Sequence, residues 1–269
     1  MLAVFKSVMK ELNYIAMCIR YNVKQSISNT KSFIIQTIAM FINNFVFLLF
    51  WKLLFNNKGG SINGTTMQDL WYLWSVPTIA YGICFFCFGG INSLAQDIAE
   101  GNLDIYLAKP KHSLISALTS RSVLSAMGDI LFGVFAGIIA TGGNVIKMLF
   151  VFLVLFIASI AFLGVMIIIR VLAFWFGNVS DVCNKYTNSL LITLTIYPEQ
   201  MFPKFIKVAM FTVIPAMYVA HIPVRIVKSF SIYWFLLLII VTVMFLTVAF
   251  KLYGAGLKKY ESGNNVTKR

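Results

Sequence analysis

Residues Val145 to Ile168 read VIKMLFVFLVLFIASIAFLGVMII, a run whose single charged side chain, Lys147, lies near one end. At 1.5 Å per residue a helix of this run is about 36 Å long, enough to cross a hydrocarbon layer of about 30 Å. Outward from it, runs of similar character lie at Ser32 to Phe55, Trp74 to Leu94, Val123 to Ala140, Val171 to Ile196 and Ile232 to Leu252. Of 269 residues, 59% are hydrophobic and 12% charged, about half the charge of an average soluble domain. The sequence is written for lipid, and the fold class that follows is an all-α integral membrane protein with six transmembrane helices.

A seventh apolar stretch, Phe205 to Ile222, is punctuated by Pro203, Pro215 and Pro223, none of which has a backbone donor. With six spans, most of the 22 Lys and Arg fall on the side that holds both termini; a full crossing by the seventh stretch nearly evens the two sides. The positive-inside rule therefore favours six spans in the cytoplasmic membrane with both termini cytoplasmic. It leaves a proline-broken segment, re-entrant from outside, between spans 5 and 6. The net charge of +13 sits mostly beside spans, where it meets membrane lipid headgroups and requires no nucleic acid.

Three regions follow. Residues 1–31 carry Phe5, Val8, Met9, Leu12, Ile15, Ala16 and Ile19 at helical spacing, with Lys6, Lys10, Asn13, Arg20 and Lys24 mostly off that stripe, which predicts an N-terminal amphipathic helix in the membrane interface. No signal peptide is legible there, since charges interrupt any apolar core. Residues 32–252 form the six-span domain, with a cytoplasmic loop at 95–113 and the outer re-entrant segment at 197–228. Residues 253–269 are a basic cytoplasmic tail. Asn56 to Asp69 reads as an external loop with a glycosylation-type triplet at Asn63-Gly64-Thr65.

The loop at 95–113 contains Gln96-Asp97-Ile98-Ala99-Glu100-Gly101-Asn102-Leu103-Asp104-Ile105-Tyr106-Leu107-Ala108-Lys109-Pro110. Gly101 can end one helix, Asn102 can cap a short second one, and Pro110 stops it. Leu103, Tyr106 and Leu107 then share a face. A two-turn helix is unstable alone, so this face docks either on a soluble partner or on the protein's own surface and the headgroups.

With Tyr197-Pro198, Phe202-Pro203, Ile214-Pro215 and Ile222-Pro223 far downstream, the Glu100-Gly101-Asn102-Leu103-Asp104 run resembles the membrane subunits of type-2 ABC exporters, in the branch that includes daunorubicin-type drug exporters. The resemblance covers nearly the whole chain. It implies a coupling helix after span 2, seated in a cleft of a cytoplasmic ABC ATPase dimer, and a second permease half, either an identical copy or a homologous sister chain. Leu103, Tyr106 and Leu107 would be the docking face, with Glu100, Asp104 and Lys109 as its rim. The chain has no G-x-x-x-x-G-K-[ST], so it is expected to be no enzyme and to hold no cofactor, with ATP and Mg on the partner. The resemblance also makes span 1, span 2 and span 5 the lining of the path, and an amphipathic substrate is expected.

The remaining candidates are polar or prolyl. Tyr197, Pro198, Phe202, Pro203, Pro215 and Pro223 mark an outer gate or a plain external loop, with Tyr197 and Phe202 as interfacial aromatics. Asp129 is the carboxylate inside a predicted span, about 12 Å beyond Arg121 if helical. It either meets a substrate or makes a structural hydrogen bond. Asn43 and Asn44 can bond across helices, and Gly133-x-x-x-Gly137 permits close helix approach. Cys84 and Cys87 read as buried packing and His221 as a packed or interfacial side chain. No metal-spaced cluster is present. The competing functions are an ion-coupled carrier or channel, which would call for more ionisable groups in the spans, and a non-transporting scaffold.

Overall fold

A computed structural model describes residues 2–57, 61–62 and 64–260. Asn63 of the glycosylation-type triplet and tail residues 261–269 lie outside the described residues. Helices follow in the order α1 (Leu2–Ser28), α2 (Thr30–Asn57), α3 (Met67–Cys87), α4 (Leu94–Ala99), α5 (Asp104–Leu107), α6 (Ser113–Leu118) and α7 (Ala126–Thr141). They continue with α8 (Val145–Val171), α9 (Ala173–Phe176), α10 (Ser180–Lys185), α11 (Thr193–Ile196), α12 (Lys204–Phe211), α13 (Ile222–Lys228) and α14 (Ile232–Leu257). A two-strand hairpin, β1 (Ser61–Ile62) and β2 (Thr65–Thr66), pairs Ser61 with Thr66 and Ile62 with Thr65, antiparallel.

Four helices among the described residues are long and apolar enough to cross a membrane: Thr30–Asn57, Met67–Cys87, Val145–Phe176 and Ile232–Leu257. The shorter apolar α7 and the helical run 180–196 stand beside them. An all-α membrane fold is therefore what the chain adopts, and the first, fourth and sixth expected spans coincide with α2, α8 and α14 to within a few residues at most ends.

Two span boundaries differ most from expectation. Arg170 is the expected break between spans 4 and 5, because a charge ordinarily marks an interface. It is instead 1% exposed, its guanidinium donating to Met166 Sδ at 3.3 Å and Thr187 Oγ1 at 3.4 Å, and the helical rod runs on to Phe176. The break falls at Gly177, whose φ of 71° a side chain would oppose. The second difference is in α3, which begins and ends seven residues before the expected Trp74 to Leu94 span. Its start is set by a capping box in which Thr66 Oγ1 accepts from the Asp69 amide at 3.4 Å and the Thr66 amide donates to Asp69 Oδ2 at 2.9 Å. Polar caps lower local hydropathy, which is why these residues read as loop in the sequence.

The core is built around α3, α7 and α8. Its tightest crossings need glycine: a Cβ on Gly128 would lie 2.3 Å from the Thr37 carbonyl oxygen of α2, and one on Gly133 would lie 2.4 Å from Ile79 of α3. Gly137, expected as the second half of a small-residue pair, has Ser75 at an ordinary 3.8 Å from such a Cβ.

At one end of the bundle α1 lies across the α6 region. Tyr14 donates to Ser116 at 3.1 Å, Asn22 to the Thr119 carbonyl at 3.0 Å, and Lys111 pairs with Glu11 at 3.6 Å. The expected apolar stripe is divided: Ile15 and Ile19 are partly covered, whereas Met9 and Leu12 are exposed. At the other end lie the β1–β2 hairpin and the segment after Ile196. That segment is a helical hairpin in which Pro203 precedes α12, Pro215 occupies the turn, and Pro223 lies within the return limb directly after the π-helical turn Met217–His221, a local widening of the helix at the residue that lacks a donor. Its return limb carries Met217, Val219, Ala220 and Ile222, each no more than 1% exposed. This limb is packed structure, whereas Phe205, Val208 and Val213 of the outgoing limb and turn are exposed.

Candidate functional site

A cavity of about 600 Å³ lies between α2, α3, α7 and the 180–196 run, a volume suited to a drug-sized ligand. Its apolar wall includes Phe47 of α2, Trp74, Tyr81 and Phe85 of α3, and Ile192 and Ile196. Phe47 and Trp74 stack tilted with centroids 4.7 Å apart. Its polar wall is mostly amides, Asn43 and Asn44 from α2, Asn92, and Asn184 and Asn188 from the 180–196 run, together with Thr78, Ser125 and Asp129.

Asp129 is in the first turn of α7, because that helix begins at Ala126 and not at Val123. The amides ahead of it are already paired, with Ala126, Met127 and Gly128 donating to the carbonyls of Val123, Leu124 and Ser125 at 3.3, 3.1 and 2.8 Å. The side chain is 7% exposed and its Oδ1 accepts from Asn44 Nδ2 at 2.7 Å. The same amide nitrogen donates to the Met40 carbonyl at 3.1 Å. Residues 85 positions apart are thus joined across the α2–α7 crossing that Gly128 makes possible. Asn43, the preceding residue, points elsewhere and is exposed.

The 180–196 run has a feature hydropathy does not register: Tyr186–Ile192 is a π-helix. Asn184 and Asn188, four residues apart, both line the cavity, while Thr187 turns inward to Arg170. The pair is legible as two amides four apart in the polar stretch Ser180 to Ser189, a signal that sequence reasoning passes over. Tyr81 and Thr195 share a hydrogen bond that ties α3 to α11 behind this wall.

The loop at 95–113 is folded closely on the protein. Gly101 takes φ 77° after α4, the Asn102 amide donates to the Asp97 carbonyl at 2.8 Å, and Glu100 accepts from Gln96 at 2.8 Å and Asn102 at 3.0 Å. Leu103, and not Asn102, precedes α5 as its cap. The expected face of Leu103, Tyr106 and Leu107 is divided. Leu103 is 0% exposed and belongs to the core, and Tyr106 is half-buried against it. The apolar side chains left outward are Ile105, 65% exposed, and Leu107, 44%. Asp104 is half-buried, and Lys109, Pro110 and Glu100 are exposed, with the Lys109 ammonium 5.2 Å from the Tyr106 ring centre. Burial pushes the Asp97 carboxyl up from its ordinary value against the hydrogen bond from Ser93 and the charge of Arg121. Burial and the neighbouring Asp104 push the Tyr260 phenol up to about 12, and the ring meets Phe174 edge-on, centroids 6.2 Å apart.

The opposite end is closed by ion pairs. Arg225 donates both to Glu199 Oε1 at 2.6 Å and to Oε2 at 2.7 Å, and Lys228 pairs with Asp69. His221 is 3% exposed with Nε2 2.8 Å from the Leu194 carbonyl oxygen. Tyr197 packs against Trp51, centroids 5.8 Å apart, and Phe202 against the core, so both expected interfacial aromatics face inward. Pro198 opens the short turn 199–201 that carries Glu199.

A family model described as ABC-2 family transporter protein matches residues 41–264. The chain belongs to the ABC-2 transporter family. No curated protein matches it. As a member, it is a multi-pass membrane permease of an ABC transporter, which associates with an ABC ATPase partner. The match spans the cavity, the 95–113 loop and the outer ion pairs.

Proposed function

We propose that this permease is one half of an ATP-driven exporter that moves an amphipathic substrate across the cytoplasmic membrane by alternating access, in the branch that resembles daunorubicin-type exporters. The observation that carries the reading is the cavity of about 600 Å³, which opens through a face where Asn43, Asn184 and Asn188 are exposed. Amides are poorly accommodated by lipid, so such a face belongs against water or against another protein surface. A second permease half, identical or homologous, covers it, and the path runs between the halves along α2, α3 and the 180–196 run.

In this reading α2, α3, α7, α8 with α9, the 180–196 run and α14 are the six spans. Both termini and the 95–113 loop are cytoplasmic, and the 197–228 hairpin is the outer re-entrant segment. An ATPase dimer that binds ATP and Mg closes on nucleotide and carries α5 with it through Ile105 and Leu107. Leu103 and Tyr106 transmit that motion, since they are rooted in the core that contains α8 and α14. The Glu199–Arg225 and Asp69–Lys228 pairs hold the outer side shut and separate when the cavity opens outward.

The test is co-purification of the full chain with its co-expressed ABC ATPase in mild detergent, followed by ATP turnover. Ile105→Glu with Leu107→Glu is expected to lose the ATPase while the permease stays monodisperse. A wild-type permease that never binds an ABC ATPase, or a double variant that still does, overturns the docking assignment.

A further inference from the structure

We propose that the cavity selects amphipathic cations, with Asp129 as the charge-reading group; this rests on the transport reading above and names its substrate class. Among the described residues lining the cavity there is no Lys, Arg or His, and Asp129 is the sole carboxylate. Its Oδ1 is engaged by Asn44 at 2.7 Å, a neutral partner that orients the carboxylate without neutralising it. Oδ2 has no hydrogen bond among the described residues. A side chain only 7% exposed, held in place and lacking a countercharge, is built to receive a positive group from the cavity.

The surroundings specify the rest of the ligand. Phe47, Trp74, Tyr81 and Phe85 line the same space, and their ring faces attract a cation while accepting apolar or aromatic groups. Asn184 and Asn188 on the facing run supply amide donors and acceptors that are indifferent to the sign of the ligand charge. A carboxylate at one place and aromatic rings around it match a molecule with one diffuse positive charge on an apolar body. An anion of the same shape meets Asp129 as a like charge. A free inorganic cation gains nothing from the aromatic wall.

The probes are tetraphenylphosphonium and tetraphenylborate, ions of matching shape and opposite charge. Each is measured separately by equilibrium dialysis against the full chain in phosphatidylcholine nanodiscs, with empty nanodiscs subtracted. The wild-type chain is expected to bind the phosphonium saturably and at least about tenfold more tightly than the borate, as one close charge pair in a partly wet site provides. Asp129→Asn should remove that preference, and Asp129→Glu should keep it. Equal binding of the two ions by the wild type, no saturable binding of the phosphonium, or an unchanged preference in Asp129→Asn overturns the proposal. Should Asp129→Asn not fold, the wild-type preference for one sign of charge still decides. These outcomes are independent of ATPase association. Loss of charge selectivity with the ATPase bound rejects the substrate class alone, and retained selectivity without any ATPase rejects the transport reading alone.

Discussion

Helix α14 and the 180–196 run are both largely uncovered by the rest of the chain, yet they expose opposite chemistry. The outward side chains of α14 include Ile232, Leu236, Ile240, Val243 and Val248. Those of the run are mostly polar, Asp181, Asn184, Lys185, Asn188 and Ser189, beside Val182 and Leu190. Exposure in a membrane protein therefore has two meanings. An apolar exposed face is solvated by lipid and is complete as it stands, whereas an exposed row of amides is incomplete until water or another protein surface meets it.

The sharpest way to break that contrast is to place a charge on each helix. Val243→Lys, at the middle of α14, is expected to disfavour insertion by about 3 kcal/mol and to deplete the protein from the membrane fraction. Asn188→Lys should leave membrane levels near wild type. Equal depletion would mean that both faces meet lipid. The same pair of positions can be probed by labelling: Asn188→Cys is expected to react with a membrane-impermeant maleimide from one side of the membrane, and Val243→Cys to remain unreactive.

The next effect in size concerns the crossing that presents the cavity. Gly128→Val puts side-chain atoms where the Thr37 carbonyl lies and should destabilise the permease by about 1–3 kcal/mol, read as a lower midpoint of thermal aggregation in detergent. Gly137→Ala, whose Cβ would meet Ser75 at an ordinary 3.8 Å, should change that midpoint little. If the two behave alike, α2 and α7 are not in the contact described.

A smaller effect on stability is expected from deleting Ser189. Loss of one residue from Tyr186–Ile192 lets the π-helix relax to an α-helix, and the residues after it keep nearly their original direction because the surplus residue is the one removed. Maleimide labelling at Asn184→Cys, Ile192→Cys and Ile196→Cys should then stay near that of the undeleted protein, whereas an ordinary α-helix losing one residue would turn Ile192 and Ile196 by about 100°. The smallest expected effect is at the outer end. Arg225→Met removes a bidentate pair whose arginine is 38% exposed, so the stability change should stay below about 1 kcal/mol. Its signature should be in ATP turnover if the pair holds the outer side shut.

The parts of the fold set by long apolar windows are legible in the amino-acid order alone. The runs at Ser32 to Phe55, Val145 to Ile168 and Ile232 to Leu252 are α2, α8 and α14, since twenty apolar residues in lipid have no alternative to a helix. The tight turn at Thr141 to Asn144 is legible for a similar local reason, and its glycines carry positive φ. Sequence reading fails where a local average is asked a nonlocal question. Arg170 counts as an interfacial charge because a window cannot see that Thr187 and Met166 enclose it. Leu103 falls on an expected outward face because helical spacing fixes which residues share a side but not which side is covered.

The cavity divides along the same line. The sequence by itself determined that this chain enters a membrane, that it carries no phosphate-binding loop, and that Asn43, Asn44 and Asp129 are polar groups inside or beside apolar runs. All of these follow from residue type and from distances along the chain. Only the tertiary structure decided that Asn44, and not Asn43, meets Asp129, that Asp129 stands at a helix N-terminus, and that Asn184 and Asn188 share its cavity. Those facts depend on which segments cross and how closely. They are settled by packing at Gly128 and Gly133, where two backbones approach only because no side chain stands between them.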